Sequence, residues 1–168
     1  MVEKKHIVYD LMLKYNGPLS IENFYEETEK WMREKRLHKE LKRKSEQVTS
    51  KGRRIEWIIE AWKNFDSDNK EVVRLRALFD NVKELKLKKK GHTLSTNNGD
   101  VFIIIEGFLE TQLAKRWTEK PLFVFLRTLF DKYIWVILGK YDGNVQEDCY
   151  DLHKRLKAFF ELYKMKVL

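Results

Sequence analysis

Residues 5 to 15 alternate in polarity: Ile7, Tyr9, Leu11, Leu13 and Tyr15 fall on one side of an extended chain, with His6, Asp10 and Lys14 on the other. A period of two with one apolar side predicts a strand, and Asn16-Gly17-Pro18 predicts the turn that ends it. Ser20 then suits the N-cap of a helix, with Leu19 and Phe24 in the two positions of a hydrophobic staple. Ile21, Phe24, Tyr25, Thr28, Trp31 and Met32 form its inner stripe, and Glu22, Glu26, Glu27 and Glu29 its outer face. From Leu37 to Arg54 the pattern turns strongly polar, which predicts either a Lys-rich edge strand or a mobile arm. Residues 54 to 62 alternate again, Ile55, Trp57, Ile59 and Ala61 against Glu56, Ile58, Glu60 and Trp62. The run Asn64 to Asn69 reads as a turn, and Glu71 to Phe79 as a strand with Val73, Leu75, Ala77 and Phe79 inward. Val82 to Leu87 continue it past a bend at Asp80-Asn81. A tip at Lys88 to Gly91 follows, with a short return through Thr93 and Leu94. Asn98-Gly99 is a hairpin signal, because both residues accept positive φ. Val101 to Glu110 is the most apolar strand, expected near the centre of the sheet.

Two helices close the chain. Between Leu122 and Leu138 only Arg127, Thr128, Asp131 and Lys132 interrupt an apolar surface, so this segment is expected to be buried on most sides. Thr118, Glu119 and Pro121 mark its start and Gly139 its stop. After a loop at Tyr141 to Asn144, a second helix carries Val145, Cys149, Leu152, Leu156, Phe159 and Tyr163 at helical spacing. Strands followed by helices predict an α+β fold: one domain over residues 1–168, an antiparallel β-sheet with an N-terminal helix and a C-terminal pair of helices packed on it. With helices on one side only, Ile58, Trp62, Phe102, Ile104 and Phe108 are left partly exposed, a patch that predicts an interface. The alternative is a three-layer domain in which the first helix covers that second face.

Composition narrows the class. The chain has 168 residues, 43% of them hydrophobic and 36% charged, which suits a globular domain burying roughly two-thirds of its unfolded surface. Lys and Glu dominate the charges, while Gln, Met and Cys are sparse, a thermophile-like usage. The formal net charge of +8 favours anionic partners, although a Lys-rich solubility coat produces the same balance. A single cysteine, Cys149, rules out an intramolecular disulfide and points to a reducing, cytoplasmic compartment. The first residues lack the apolar core of a signal peptide. The run from Leu122 to Leu138 is at the lower edge of membrane-spanning length and carries Arg127, Asp131 and Lys132 mid-segment, so no transmembrane segment is expected.

Candidate chemistry is thin. Cys149 and His153 stand four apart on a predicted helix, but two ligands make half a metal site and Cys149 belongs to the apolar stripe. There is no nucleophile elbow and no phosphate loop, Gly91 after Lys90 lacking the second glycine. Glu56 and Glu60 lie too far apart along one strand to act as an acid/base pair. No catalytic residue, metal or cofactor is therefore assigned. Two basic clusters remain: Lys39, Lys42, Arg43, Lys44, Lys51, Arg53 and Arg54 in the first, and Lys88, Lys89 and Lys90 at the tip. On one side of the fold they would hold phosphates by counterion release. Arg127, with Lys120, is a further candidate as the anion-binding group of a small pocket, weighed against an Arg127–Asp131 pair reaching the surface. The chain reads as a non-enzymatic binding or assembly module acting through a protein partner or self-association. Non-specific nucleic-acid binding and a small anionic ligand are the alternatives.

The segment containing Trp117, Lys120, Pro121, Phe125, Leu126, Arg127, Leu129, Phe130, Asp131, Lys132 and Tyr133 resembles a family of uncharacterised archaeal proteins of similar length, with a strand-rich middle and a closing helix. The resemblance implies an archaeal, intracellular setting and brings no activity, cofactor or catalytic residue.

Overall fold

The computed structural model describes the backbone of residues 2–112 and 121–167 and, within these, all side chains but Leu94, 121–138 and 166–167. It is an α+β fold in the order β1 (Glu3–Leu19), α1 (Ile21–Glu34), β2 (His38–Thr49), β3 (Gly52–Asn64), β4 (Asn69–Lys89), β5 (His92–Thr111) and α2 (Pro121–Val167). The strands form one antiparallel sheet in the order β1-β5-β4-β3-β2, so β1 closes the meander beside β5 and β2 is the far edge. The polar stretch after Leu37 is thus an edge strand, exposed along nearly its whole length. Its lysines and arginines discourage another chain from pairing there.

α1 and the Val145-to-Phe160 stretch of α2 lie against the inner face of the sheet. Ser20 caps α1 by accepting from the backbone of Asn23 at 3.2 Å, and the staple residues Leu19 and Phe24 are fully buried. Phe24 meets Trp57, Phe79 and Phe160 edge-on or stacked, which joins α1, the sheet and α2 in one aromatic contact. From α2 the core takes Val145, Cys149, Leu152, Leu156 and Phe160, set against Ile103, Ile105 and Leu75 among others. α1 and α2 run antiparallel, clamped where Arg155 reaches Glu27 at 2.5 Å and also engages Glu34.

Four expectations need correction. The two C-terminal helices are one: Gly139 and Gly143 both lie inside α2, exposed, with no atom within 4 Å of a Cβ added to either. A helical glycine costs only about 1 kcal/mol relative to alanine. Contacts beside it hold the helix through the expected loop, Tyr141 stacking on Phe65 at 4.5 Å and Asp142 bonding Lys5 at 2.6 Å. In β1 the register shifts twice and Asp10 takes φ 36°, so parity resets: Val8 is buried and Tyr9 is 69% exposed. The expected turn at Asn16-Gly17-Pro18 is strand, Gly17 pairing with Gly99 and Pro18 with Asn98, a place an edge strand allows proline. Finally, Asn98-Gly99 is not a turn. The hairpin closes at Lys90-Gly91, and Gly99 sits inside β5, where a Cβ would stand 2.9 Å from the Asp80 carbonyl at the β4 bulge. The expected burial of 122–138 and the site at Lys120 and Arg127 fall on side chains outside the described residues.

Candidate functional site

Strand parity places three chemically distinct regions. The first is the outer face of the sheet. Across β1, β5, β4, β3 and β2, one row runs Met12, Ile104, Arg76, Ile58, Arg43 and its neighbour Lys14, Phe102, Leu78, Glu56, Ser45. Met12 is 51% exposed, Arg76 is exposed, and Ile104, Ile58, Phe102 and Leu78 are half-buried. Lys14 lies over the Phe102 ring at 5.5 Å, beside a depression of about 400 Å³ bounded on its other side by Asp80 and Asp100.

Further along the same face the aromatics are roofed by charge. Phe108 is only 2% exposed, against expectation, because Lys4 stands 4.1 Å and Arg74 4.9 Å from its ring centre and His6 packs edge-on. Lys70 likewise covers Trp62 at 4.6 Å. Glu60 is buried between Arg74 at 2.7 Å and Lys42 at 3.2 Å. Burial works against its charge, but these two donors overcome that and hold its carboxyl below the ordinary value.

The second region is basic. Of the seven cations expected along 39–54, Lys39 pairs with Glu29, Lys42 with Glu40 and Glu60, Arg43 with Glu56 at 3.4 Å and Arg53 with Glu46 at 3.0 Å. Lys44 lies over Tyr25 at 5.0 Å. Exposed Lys51 and Arg54 flank Gly52, which has a φ of 140° and lies so close to β4 that an added Cβ would stand 2.8 Å from the Val82 carbonyl oxygen. Lys88, Lys89 and Lys90 lie at the tip of the β4–β5 hairpin, at the same end of the sheet. The structure therefore divides the first cluster: Lys51, Arg53 and Arg54 join the tip, while Lys39 to Lys44 run down the β2 edge among carboxylates.

The third region was not expected. At the opposite end of the inner face, Glu71 is fully buried, 3.1 Å from Lys63 Nζ, yet neither of its oxygens has an aligned hydrogen-bond donor among the described residues. Lys63 donates to Asp148 at 2.8 Å, Lys35 pairs with Asp148 at 3.1 Å and Asp151 at 3.5 Å, and Trp31 Nε1 donates to Asp151 at 3.0 Å. Burial, reinforced by the charge of Asp148, raises the Glu71 carboxyl to about 7, with Lys63 opposing. Asp148 feels burial too, but its hydrogen bonds from Lys63 and Lys35 hold it low. Next to it, burial and the two carboxylates push the Cys149 thiol well up, so it stays protonated. Parity carries the missed signal: Lys63 follows Ala61, and Glu71 precedes Val73, on the inward side of their strands. His153, for its part, bonds the Met12 carbonyl oxygen at 3.0 Å. Among the described residues no group of three or more potential ligands gathers for a metal ion, and no helix is long and apolar enough to cross a membrane. No protein-family model, curated protein or solved structure matches the chain.

Proposed function

We propose that the protein is a non-enzymatic binding module whose outer sheet face docks an acidic, partly apolar segment of a partner protein. One observation carries this reading: α1 and the described core residues of α2 pack on the inner face, and Met12, Ile104, Ile58, Phe102 and Leu78 stay partly open around Arg76. An apolar surface centred on an exposed arginine that has no ion pair among the described residues favours an acidic partner and disfavours face-to-face pairing of two copies, which would bring two such arginines together. Arg76 makes no ion pair among the described residues, and Lys14 and Arg43 flank it. The test is a titration with a synthetic peptide alternating glutamate and leucine, beside a lysine–leucine counterpart. Binding of the acidic peptide alone, weakened at least about tenfold by Arg76→Glu, supports the reading. Equal binding by Arg76→Glu refutes it, and a stable dimer by light scattering puts a second copy on the face instead. The sole cysteine, buried and free, supports a reducing, cytoplasmic setting.

A second reading, nucleic-acid binding, is favoured by the convergence of the β2–β3 turn and the β4–β5 tip at one end of the sheet. Titration with DNA at two salt concentrations tests it, since affinity that does not fall with salt excludes phosphate contacts.

A further inference from the structure

The β4–β5 hairpin outruns the sheet. Pairing of β3 with β4 stops at Arg53–Val82, and pairing of β1 with β5 stops at Leu19–Asn97. Beyond that, Leu85 to Lys89 and His92 to Thr96 pair only with each other. The result is a two-stranded ribbon with no further strand paired to either of its edges among the described residues, about 17 Å long at about 3.3 Å per residue. Residues 85–96 contain four lysines and no carboxylate. One side presents Lys86 with Ser95 and Lys88 with Thr93 as cross-strand pairs, all four exposed. The nearest acid on that side, Glu84, is engaged by Ser95 at 2.7 Å. At the base stand Lys51, Arg54 and Lys83, all exposed, and Arg53, whose guanidinium reaches Asn97 at 3.4 Å.

We propose that this ribbon is a duplex-DNA recognition element that enters the major groove, with Lys51, Arg54 and Lys83 at its base against the flanking phosphates. The proposal rests on the nucleic-acid reading and narrows it. Among the described residues none of the ribbon beyond its base belongs to the buried core, so core packing does not account for the extension. Two strands about 5 Å apart with their side chains fit a B-form major groove about 12 Å wide, and such ribbons are an established way into it. Lysine, serine and threonine are donors and acceptors suited to base edges and phosphates. The duplex RNA major groove is too narrow and deep for the same entry, so the geometry discriminates between duplexes.

The experiment is fluorescence anisotropy of the full chain with a duplex DNA, a duplex RNA and a single-stranded DNA of one sequence, at low and moderate salt. Duplex DNA is expected to bind at least about tenfold tighter than the other two. With about five phosphates engaged, its affinity should fall by about 10²–10³ between 50 and 200 mM salt. Lys86→Glu/Lys88→Glu should weaken binding at least about tenfold with an unchanged melting temperature, because both side chains stand clear of the core. Equal affinity for all three nucleic acids, or an undiminished affinity of the double variant, overturns groove entry while leaving the basic end as a polyanion site. No binding to any of them overturns both.

Discussion

Glu71→Gln isolates the buried carboxyl cluster. Facing Glu71 are Lys63 from β3 and Asp148 and Cys149 from α2, with Lys35 and Asp151 completing the network behind Asp148. Burial raises the folded carboxyl from its ordinary 4.5 to about 7. A raised acid holds its proton more tightly when folded, so its favourable contribution is complete below pH 4.5 and is lost as pH climbs through 7. At about 1.4 kcal/mol per pH unit the loss is about 3 kcal/mol, or about 6–12 °C in melting temperature for a chain this long. Asp148 has the opposite sense: its low-held carboxyl supports the fold above its ordinary 3.8 and fails only as pH falls below that. Lys63 and Lys35 are raised above an ordinary 10.5 and stay charged throughout. Glutamine keeps the shape and removes the titration. Scanning calorimetry of both proteins across this range should show the variant gaining on the parent by about 3 kcal/mol between about pH 4.5 and 8. Groups remote from Glu71 act equally on both proteins and cancel. A difference that stays constant with pH would refute the reasoning, showing that folding leaves the Glu71 carboxyl at its ordinary value.

Other consequences are more local. Gly107→Ala would put a Cβ 2.7 Å from Cys149 Sγ and 2.8 Å from Val145 Cγ1, and overpacking of this kind should cost about 1–3 kcal/mol in denaturant unfolding. Adding Cys149→Ala should recover about 1 kcal/mol of that, and strict additivity would show that the sulfur is not what is met. Cys149 should resist thiol reagents at mildly alkaline pH until the protein unfolds, because it is fully buried and held protonated; rapid labelling of the folded chain would contradict its placement. Phe24→Ala should lower stability by about 3–5 kcal/mol, since this ring alone touches Trp57, Phe79 and Phe160; a loss under about 1 kcal/mol would mean the site is not the aromatic hub described.

What the chain determines by itself is whatever depends on neighbours a few residues away. Polarity of period two set the sides of β3 and β4, the continuous apolar run placed β5 centrally, and Ser20 with Leu19 and Phe24 marked the start of α1, because those effects are local sterics, capping and burial. Tertiary structure decided the rest. Asn98-Gly99 has every local feature of a turn, but pairing with Pro18 and Gly17 and the close approach of Asp80 make it strand. Gly139 and Gly143 look like a helix end, but anchors to Phe65 and Lys5 outweigh their weak preference. A bulge at Asp10 exchanged Val8 for Tyr9, which no local period reveals. The Glu71 cluster was half legible, since parity puts Lys63 and Glu71 inward. Only packing of α1 and α2 brings Lys35 and Asp148 to them, because burial and charge act through space and take no account of distance along the chain.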